Sequence, residues 1–376
     1  MLFREYGQTG KKVSLLGFGG MRFARIDDHD DCIRMIIAAA EGGVNYFDTA
    51  PGYFETRSET VFGKGFAELK RLGLPFYSAT KTFASDGDGI RREIDEQLKR
   101  LNVPAIDFYH IWCIANLENW GERKKSGVLE AFRKLKEEGL IRHICVSSHL
   151  IKDEIKELLM EGVFEGVLFG YSMYNFQTRQ PAFDAIREKK LGAAIMNPLG
   201  GGVIPQHPGK FGLLQRSGEG IVASALRFLW DHPEISTTVV GFQNIEQVRD
   251  ALAAIKGYKP RTKAELEKAK KKLISVEGLC TGCGYCIACK ADSGDGTESN
   301  CPQDVPIPQL MDAYNQKILG LSDKDMIGER LYWHWDLERS EAARCSECGE
   351  CERACTQHLN IIERLKEIAQ QTATAK

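Results

Sequence analysis

The sequence predicts a closed (β/α)8 barrel of the α/β class, followed by a small and mostly helical domain rich in cysteine. Between about residue 15 and residue 256, eight short apolar runs alternate with helical patterns that have one apolar face. Eight strand–helix units in about 240 residues match a (β/α)8 barrel in both number and length. The composition then changes sharply, because nine of the twelve cysteines lie beyond residue 279.

The barrel strands are predicted at the short apolar runs that end in polar or turn residues. They are Leu15–Gly19, Tyr46–Thr49, Phe76–Thr80, Ile106–Trp112, His143–Ser147, Gly166–Tyr171, Gly192–Asn197 and Thr237–Gly241. An open doubly wound sheet fits less well, because Gly17–Arg22 lacks the third glycine of the G-x-G-x-x-G phosphate fingerprint. Ahead of the first strand, Arg4–Lys11 contains glycine turns and predicts a small hairpin that could plug the bottom of the barrel.

Composition limits the kind of protein to which these elements belong. A length of 376 residues with 43% hydrophobic content indicates a soluble, globular chain of about two domains. We expect a barrel over residues 1–256, a linker helix over 257–275 and the cysteine-rich domain over 276–376. The net charge of −2 gives no indication of nucleic-acid binding. The sequence has no run of eighteen apolar residues and no apolar leader, so we expect no membrane span and a cytoplasmic location.

Two strand ends bring an acid, a phenol and an amine toward one site. Asp48 ends a predicted strand before the break at Pro51-Gly52, Tyr53 follows on the loop, and Lys81 comes at the end of the next strand. A single aspartate at a strand end is more often a helix cap, but the carboxyl ends of barrel strands meet at one face, where these three side chains should converge. A lysine beside a phenol favours the phenolate, so we expect a lowered pKa for Tyr53 and proton exchange near neutral pH.

Residues 1 to about 256 resemble the aldo-keto reductases. The matching segments occur in the order found in that family, which makes the resemblance more specific than any single motif. They are Leu16–Met21, Asn45–Ala50 with Tyr53, Thr80–Thr82, Ile106–Tyr109, Val146–Ser147, Asn197–Gly202 and Val240–Gly241. The resemblance implies a reductase that transfers hydride from a nicotinamide dinucleotide to a carbonyl substrate. It also implies that Asp48, Tyr53 and Lys81 are catalytic, with Tyr53 as the proton donor.

The resemblance further implies which residues hold the dinucleotide. The candidates are Gly19, Met21, Ser147, Met196, Asn197, Pro198, Leu199, Gly200, Gly241, Gln243 and Asp250. Met196 stands where many members have an aromatic ring that stacks on the nicotinamide, and its thioether can also cover a ring face. The loop from Gly200 to Gly220 is either a surface loop or, as we favour, a phosphate site, because barrels commonly bind phosphate after the seventh strand. No lysine or arginine lies at the turn after the eighth strand, so NADPH and NADH both remain candidates.

The fourth catalytic position departs from the pattern of the resembled family. Five positions after Asp107 the family has a histidine, whereas this chain has Trp112, with His110 two residues earlier. Alternation along a strand places positions 110 and 112 on one face, so His110 should also point inward, roughly 7 Å deeper. We favour His110 as a hydrogen-bonded core residue over a catalytic one, and we keep both residues as candidates. The indole N–H of Trp112 can hold a carbonyl oxygen but cannot relay a proton at neutral pH.

The cysteines beyond residue 279 have the spacing of iron–sulfur ligands. They are Cys280, Cys283, Cys286 and Cys289, then Cys301, and then Cys345, Cys348, Cys351 and Cys355. Three thiolates of a C-x2-C-x2-C run can bind one face of an Fe4S4 cube and leave its fourth iron to a distant cysteine. Tetrahedral zinc is the alternative, but triplets with later single cysteines favour two [4Fe–4S] clusters. Cys32, Cys113 and Cys145 have apolar neighbours and are expected to be buried and inert.

The order of the cysteines predicts how they divide between two clusters. In two-cluster ferredoxins the fourth cysteine of each run serves the other cluster. Cluster one then takes Cys280, Cys283, Cys286 and Cys355, and cluster two takes Cys345, Cys348 and Cys351 with either Cys301 or Cys289. The tail resembles the ferredoxin-like extension of iron–sulfur aldo-keto reductases, in which a Cys-Pro pair is followed by the motif Val-x-Ile-Pro. Residues Cys301–Pro308 contain this motif. The resemblance therefore implies that Cys301 is the ligand and that Cys289 is not needed. The aromatic segment Leu331–Trp335 is expected to pack around the clusters.

Two hypotheses about function follow from these features. Hydride transfer moves two electrons, whereas an Fe4S4 cube passes one, and the sequence contains no flavin motif. The first hypothesis is an NAD(P)H-dependent reductase of a small carbonyl substrate, with clusters that serve structure, docking or slow redox sensing. The second is an electron-transfer protein in which the clusters exchange electrons with a redox partner protein or a flavin and the catalytic residues are vestigial.

Overall fold

Eight parallel strands close into a barrel in the computed structural model, which describes residues 1–273, 276–287, 301–320 and 325–370. An antiparallel hairpin precedes the barrel. The hairpin is β1 (Phe3–Glu5) with β2 (Lys12–Ser14), and the barrel strands are β3 (Leu16–Gly19), β4 (Tyr46–Asp48), β5 (Tyr77–Thr82), β6 (Ile106–Ile114), β7 (Ile141–Ser148), β8 (Gly166–Gly170), β9 (Gly192–Met196) and β10 (Thr237–Gly241). Each barrel strand pairs with the next along the chain, and β10 closes the ring against β3. The predicted (β/α)8 barrel is confirmed.

At least one helix follows every barrel strand. The helices up to residue 272 are α1 (His29–Glu41), α2 (Arg57–Leu72), α3 (Gly87–Leu101), α4 (Leu117–Lys125), α5 (Val128–Glu137), α6 (Lys152–Met160), α7 (Phe176–Arg179), α8 (Pro181–Lys189), α9 (Val203–Gln206), α10 (Pro208–Phe211), α11 (Ile221–Trp230), α12 (Ile245–Ala253) and α13 (Lys263–Lys272). Helix α3 illustrates why they form, since Ile90, Ile94 and Leu101 lie on one buried face. Asp86 begins this helix by accepting a hydrogen bond from Gly89 N at 2.8 Å.

The hairpin closes the bottom of the barrel through Tyr6. Its ring is fully buried, with its centroid 5.9 Å from that of Tyr46 and 4.4 Å from that of Phe108. A Cβ on Gly166 would lie 2.4 Å from the Tyr6 ring, and one on Gly192 would lie 2.1 Å from it. Both strands therefore need glycine where Tyr6 crosses them, and the predicted plug is confirmed.

Arg4 connects the same hairpin, through hydrogen bonds, to the end of α11 and the segment between α11 and β10. Its guanidinium donates to the carbonyl oxygens of Trp230 at 2.5 Å and of His232 and Ile235 at 2.7 Å. These acceptors lie 226 to 231 residues later in the chain. This clasp of three hydrogen bonds supplies donors to carbonyl groups at and just past the end of α11, where helical hydrogen bonding stops.

The strand registers bring the candidate residues to one end of the barrel. Neighbours in register at this end are Gly19 with Asp48, Lys81 with His110, Gly170 with Met196, and Gly241 with Gly19. Strand β6 departs from regular alternation, because its register shifts between Ile111 and Ile114 and Cys113 has a φ of 55°. This is the carboxyl end of the strands, where barrels assemble their active sites.

The described residues form two compact units. The first contains Met1–Leu199 and Ile204–Leu273, and the second contains Gly200–Val203 and the described residues from Val276 onward. Helix α13 belongs to the first unit, where Lys270 Nζ donates to Gln180 Oε1 at 3.0 Å. Within the described ranges, no helix is both long enough and apolar enough to cross a lipid bilayer.

In its described part, the regular structure of the second unit is helical. Its elements are α14 (Ile307–Leu319), α15 (Met326–Arg330), a π-helical turn (Leu331–Trp335), a 3-10 segment (Arg339–Arg344), α16 (Glu350–Arg353) and α17 (Ile361–Gln370). Their apolar faces bury Leu310, Leu331 and Leu365 in one core, against which the cysteine loops pack. The ferredoxin-like character of this unit stays a prediction.

Candidate active site

Lys81 and Asp48 form a buried ion pair at the mouth of the barrel. Lys81 Nζ donates to Asp48 Oδ1 at 2.8 Å and to the Thr49 carbonyl oxygen at 2.7 Å. The two charged residues are only 1% and 3% exposed. Burial raises the pKa of Asp48, and the adjacent ammonium opposes that rise. Asp48 Oδ2 has no hydrogen-bond partner among the described residues, so the site retains one buried acceptor.

Tyr53 lies beside this pair, on the loop that follows β4. Lys81 Nζ is 5.1 Å from the centroid of its ring, within the range of a cation–π contact. Burial first, and then the negative charge of Asp48, raises the pKa of Tyr53, and Arg22 offsets only part of the rise. The expected lowering of this pKa is therefore wrong, because burial and the carboxylate of Asp48 both favour the neutral phenol. Tyr53 keeps its proton at neutral pH, which is the form that a proton donor requires.

The loop after Tyr53 has an unusual backbone. Phe54, Glu55 and Thr56 have φ values of 54°, 54° and 70°. This left-handed conformation costs a non-glycine residue on the order of 1–2 kcal/mol. Two hydrogen bonds hold the turn, from Thr56 N to the Pro51 carbonyl oxygen at 2.8 Å and from Arg57 Nε to the Phe54 carbonyl oxygen at 2.9 Å. Such strain is concentrated at functional sites, and here it directly follows the candidate proton donor.

A buried polar network behind β5 fixes the backbone of Lys81. Gln97 Nε2 donates to the Lys81 carbonyl oxygen at 2.7 Å and to Glu59 Oε1 at 3.0 Å. Glu59 is fully buried on α2 and also accepts from Thr80 Oγ1 and Arg100 Nε, each at 2.7 Å. Sequence reasoning missed this network, because its partners are 16 to 41 residues apart. The one available signal was Gln97, a polar residue on the apolar face of α3.

His110 lies in the core beneath the ion pair. Its side chain is fully buried, and Nδ1 is 3.1 Å from the Thr80 carbonyl oxygen. Burial, and then the positive charge of Lys81, lowers the pKa of His110 to about 3. His110 Nε2 has no hydrogen-bond partner among the described residues. The imidazole is therefore neutral at physiological pH, as expected for a hydrogen-bonded core residue.

Trp112 lies in the irregular part of β6, nearer the mouth. Its ring is partly exposed and packs 4.1 Å from the ring of Phe83, centroid to centroid. Arg123 Nη1 donates to the Trp112 carbonyl oxygen at 2.8 Å and supports the bulge from α4. Strict alternation cannot be applied here, since the register shift follows Ile111. Trp112 therefore presents an aromatic surface at the mouth.

Cys113 differs from the expectation of a buried, inert cysteine. Cys32 and Cys145 are fully buried as predicted, whereas Cys113 is partly exposed. Its thiol is close enough to Tyr53 to contribute to the raised pKa of the phenol. The correction has a structural cause, because the bulge gives Cys113 a φ of 55° and turns the strand at this position.

Three predicted dinucleotide residues lie at the carboxyl ends of β7 and β9, near open space at the end of β8. A Cβ on Gly170 would meet no atom within 4 Å, and its register neighbour Met196 is partly exposed. Asn197 follows with a φ of 53°, which asparagine tolerates better than most residues. Ser147 lies near the carboxyl end of β7 and is 1% exposed. Met196 is therefore the register neighbour of the open position at Gly170, with Asn197 next in sequence and Ser147 on the adjacent strand β7.

Arg22 is a residue that sequence reasoning did not select. No cation lies on the turn after β10, as predicted, but Arg22 reaches that turn from the loop after β3. A Cβ on Gly241 would lie 2.7 Å from Arg22 Cγ, so glycine is needed where this side chain passes. Its charge also acts on Tyr53. Arg22 thus places a cation between the end of β10 and the candidate proton donor.

The remaining predicted dinucleotide residues differ in solvent exposure and in the unit to which they belong. Met21 and Leu199 are partly exposed, Pro198 is buried, Gly19 and Gly241 are register neighbours, Gln243 and Asp250 are exposed, and Gly200 belongs to the second unit. In that unit a Cβ on Gly201 would lie 2.0 Å from the Thr281 carbonyl oxygen, so this position requires glycine.

The first group of cysteines in the second unit contains Cys280, Cys283, Cys286 and Cys355. Burial, followed by the neighbouring Cys283 and Cys355, raises the pKa of Cys280 to about 12. Burial also raises the pKa of Cys286, and Cys283, Cys280 and Cys355 add to that rise. Two sulfur atoms accept backbone N–H groups, Cys280 Sγ from Gly282 at 3.4 Å and Cys355 Sγ from Leu359 at 3.5 Å. These four thiols are therefore near one another, and Cys351 also contributes to the rise at Cys286, so the division into two cluster sites stays a prediction.

The second group contains Cys301, Cys345, Cys348 and Cys351. All four line one cavity, together with Val305, Ile307, Ser346, Gly349, Ile362 and Leu365. Burial, and then Glu352 and the other three thiols, raises the pKa of Cys351 to about 12. Cys301 Sγ accepts from Val305 N and Cys345 Sγ from Glu347 N, each at 3.4 Å. Cys289 lies outside the described residues.

The described cysteines are not arranged around one point. No group of three or more His, Cys, Asp or Glu side chains in the described ranges is close enough to hold a single metal ion. A structural zinc site needs four ligands about 2.3 Å from one ion. A [4Fe–4S] cluster takes one thiolate at each of its irons, so its ligands are spaced more widely.

The fold and the site define an oxidoreductase built on a (β/α)8 barrel. Residues 15–210, more than half of the chain, match the Aldo/keto reductase family. The chain belongs to the aldo/keto reductase family. The matched region ends ahead of the cysteine-rich segment.

Individual relatives agree with this membership. L-galactose dehydrogenase from Arabidopsis thaliana is 29% identical over 285 residues, which cover 67% of this chain and 87% of that protein. NADH-specific methylglyoxal reductase from Escherichia coli is 25% identical over 200 residues, 47% of this chain and 59% of that protein. The holo form of the aldo-keto reductase AKR11C1 from Bacillus halodurans has the same fold, with a TM-score of 0.63, 23% identity and coverage of 73% of this chain and 97% of that one.

Lys81→Met should destabilise the protein more than the double variant Lys81→Met with Asp48→Asn. Removing one partner leaves a buried charge without compensation, which typically costs about 3–5 kcal/mol, whereas removing both charges avoids most of this loss. The midpoints of urea unfolding, followed by circular dichroism, measure the difference. Lys99→Met, which breaks the exposed pair with Glu96, is the control and should leave the midpoint unchanged. Equal midpoints for the single and double variants would show that the buried pair is not coupled.

Proposed function

We propose that this chain is an NAD(P)H-dependent carbonyl reductase of the aldo/keto reductase type that also binds two [4Fe–4S] clusters. The observation that best supports the reductase activity is the buried Lys81–Asp48 pair beside Tyr53. A residual site without function would have little reason to retain an ion pair whose removal from water is costly. The printed names of two relatives, a dehydrogenase and a reductase, agree with this class of reaction.

The residues at the barrel mouth fit a nicotinamide dinucleotide. The open position at Gly170 lies beside Met196, whose thioether can cover one face of a flat ring. Ser147 and Asn197 offer a hydroxyl and an amide to a carboxamide group. Arg22 offers a guanidinium to a phosphate. When bound, the dinucleotide supplies the hydride, and both NADPH and NADH are candidates.

Tyr53 is the proton donor of the proposed reaction. Because its pKa is raised, the phenol is protonated at neutral pH and can give its proton to the carbonyl oxygen as the carbonyl carbon is reduced. Lys81, 5.1 Å from the ring centroid, stabilises the phenolate that remains.

Trp112 shapes the preference for substrate. An indole N–H can donate to a carbonyl oxygen, but it cannot relay a proton in the way that a histidine does. His110 does not supply this proton relay, because it is fully buried and neutral. The Trp112 ring, with Phe83 against it, offers an apolar surface to a flat molecule. We therefore expect slow reduction of simple aldehydes and a preference for a conjugated carbonyl.

Tyr53→Phe should lower turnover by about 100-fold or more while dinucleotide affinity stays within a few fold, because only the proton donor is removed. Steady-state kinetics with NADPH and NADH over a panel of aldehydes and conjugated carbonyls measures turnover, and quenching of protein fluorescence measures affinity. Tyr77→Phe removes a phenol hydroxyl from β5 at a site remote from Lys81 and should retain full activity. Undiminished turnover in Tyr53→Phe would refute this catalytic assignment.

Trp112→His should raise the rate of simple aldehyde reduction, because an imidazole can support proton transfer, an effect typically worth about 10²–10⁴-fold in rate. Trp112→Phe, which keeps a flat ring and removes the N–H donor, is the matched control and should not gain activity. The ratio of kcat/KM for an aldehyde to that for a conjugated carbonyl is the quantity to compare. Wild-type turnover of simple aldehydes near about 10 s⁻¹, the median for enzymes, would contradict this account of Trp112.

The cysteine groups of the second unit fit two [4Fe–4S] clusters. The proposed ligands are Cys280, Cys283, Cys286 and Cys355 for one cluster, and Cys301, Cys345, Cys348 and Cys351 for the other. Support comes from the neighbouring thiols within each group and from the cavity that the second group lines. Backbone N–H groups at the sulfur atoms also favour a cluster, because such hydrogen bonds tune the reduction potential of iron–sulfur centres.

Anaerobically purified protein should contain about eight irons and eight acid-labile sulfides, four of each per cluster. Cys301→Ser should lose the iron of one cluster, whereas Cys289→Ser should retain both. Iron and sulfide analysis, together with the electron paramagnetic resonance of the reduced protein, reads out each variant. Cys32→Ser, at a fully buried cysteine of the barrel, controls for general effects of removing a thiol. Zinc in place of iron, or loss of a cluster in Cys289→Ser alone, would overturn the ligand assignment.

A further inference from the structure

Two aromatic side chains of the second unit are strongly exposed. Tyr332 is 62% and Trp333 is 81% exposed, the highest values of any large hydrophobic residue in the described ranges. Their rings form a T-shaped pair with centroids 4.8 Å apart. The expectation that this segment packs around the clusters is therefore wrong for these two residues. Tryptophan is rarely left in water, and exposed aromatic surfaces commonly mark sites of protein association.

The exposure of this pair is built into the fold. The two residues belong to the π-helical turn Leu331–Trp335, whose ends are anchored. Leu331 is 1% exposed, in the core that also contains Cys286 and Cys351. At the other end, Trp335 Nε1 donates to Asp312 Oδ2 at 2.8 Å. With both ends fixed, the middle of the turn projects Tyr332 and Trp333 into solvent.

The same turn is linked to the first group of cysteines through α14. Asp312, which accepts from Trp335, also accepts from Arg330 Nε at 2.8 Å. Asn315 lies three residues further along the helix, so the two side chains are neighbours on its surface. Asn315 Oδ1 accepts from Cys280 N at 2.8 Å, and Asn315 Nδ2 donates to the Cys280 carbonyl oxygen at 2.9 Å. The segment that carries the exposed aromatic pair is therefore connected to Cys280, a proposed cluster ligand, through hydrogen bonds to two residues of α14.

The surroundings of the aromatic pair are acidic. Glu329, Asp336 and Glu338 are exposed and lie within six residues of the pair in sequence. Within the part of the chain that the structure describes, none of the three belongs to an ion pair. The basic residues of the segment are neutralised, since Arg330 pairs with Asp312 and Arg339 pairs with Asp325. An apolar centre with a negatively charged rim is complementary to a basic partner surface.

We propose that Tyr332 and Trp333, with the acidic rim Glu329, Asp336 and Glu338, form the docking surface for a soluble one-electron carrier protein with a basic face. The proposal rests on the proposed [4Fe–4S] clusters. Hydride moves two electrons and a cluster accepts one, so the clusters need a one-electron partner from outside the chain. A cluster held by Cys280, Cys283, Cys286 and Cys355 would supply one-electron chemistry: it would be oxidised by one electron as the carrier is reduced, or the reverse, with no bond made or broken. A surface of two aromatic anchors and a charged rim suits the small interfaces of transient electron-transfer complexes.

Stopped-flow oxidation of the reduced full-length protein tests the proposal. Ferricytochrome c, a basic one-electron carrier, is the protein probe, and ferricyanide, a small oxidant that needs no docking surface, is the reference. The double variant Tyr332→Ser with Trp333→Ser should slow the reaction with ferricytochrome c by at least about tenfold. It should leave the ferricyanide rate, the iron content and the NAD(P)H-dependent carbonyl reduction unchanged. Tyr332→Phe with Trp333→Phe should restore most of the rate.

Two controls complete the test. Leu72→Ser alters an exposed hydrophobic residue of the barrel unit and should have no effect on either oxidant. Glu329→Gln with Glu338→Gln should slow ferricytochrome c, and added salt should remove that difference. Equal ferricytochrome c rates for the serine variant and the wild type, or an equal loss with both oxidants, would overturn the docking surface. Absence of iron from the wild type would instead overturn the proposed clusters, and the docking surface with them.

Discussion

The buried ion pair between Lys81 and Asp48 is the interaction on which the candidate site depends. Two opposite charges can be held out of water only when they meet closely and their other hydrogen-bonding groups are satisfied. Lys81 meets Asp48 and the Thr49 carbonyl oxygen, while Gln97 holds its backbone from behind. The carboxylate of this pair also acts on Tyr53, where it adds to the effect of burial and raises the pKa of the phenol. The ion pair thus joins the ends of β4 and β5 and also influences the protonation of the phenol.

Much of the fold could be predicted from the sequence, because periodicity reports which face of an element is buried. All eight barrel strands were predicted. The turn residues before β3 also indicated the hairpin, which places the Tyr6 ring inside the barrel. Family resemblance, and not periodicity, supplied the roles of Asp48, Tyr53 and Lys81. The order of the cysteines gave a division into two groups, and that division stays a prediction, since Cys351 of the second group also acts on Cys286 of the first.

Features that depend on contacts distant in sequence could not be predicted. The bulge in β6 changes the surroundings of Trp112 and exposes Cys113, although nothing local distinguishes those residues from a regular strand. Arg22 reaches Gly241 from the loop after the neighbouring strand β3, so inspection of the turn after β10 does not find it. The pKa of Tyr53 was predicted in the wrong direction, because the burial that raises this pKa could not be read from the local sequence.

The Arg4 clasp has a consequence for how the chain folds as it is synthesised. Its acceptors lie 226 to 231 residues further on, and ribosomes add about 5–20 residues per second, so they emerge roughly 10–50 seconds after Arg4. Contacts between such distant residues form late, because a long loop must close first. During that interval the hairpin and the early strands have no closed barrel to enter. The hairpin that carries Arg4 thus leaves the ribosome before the carbonyl groups that hold it and is among the last elements to be fixed in place.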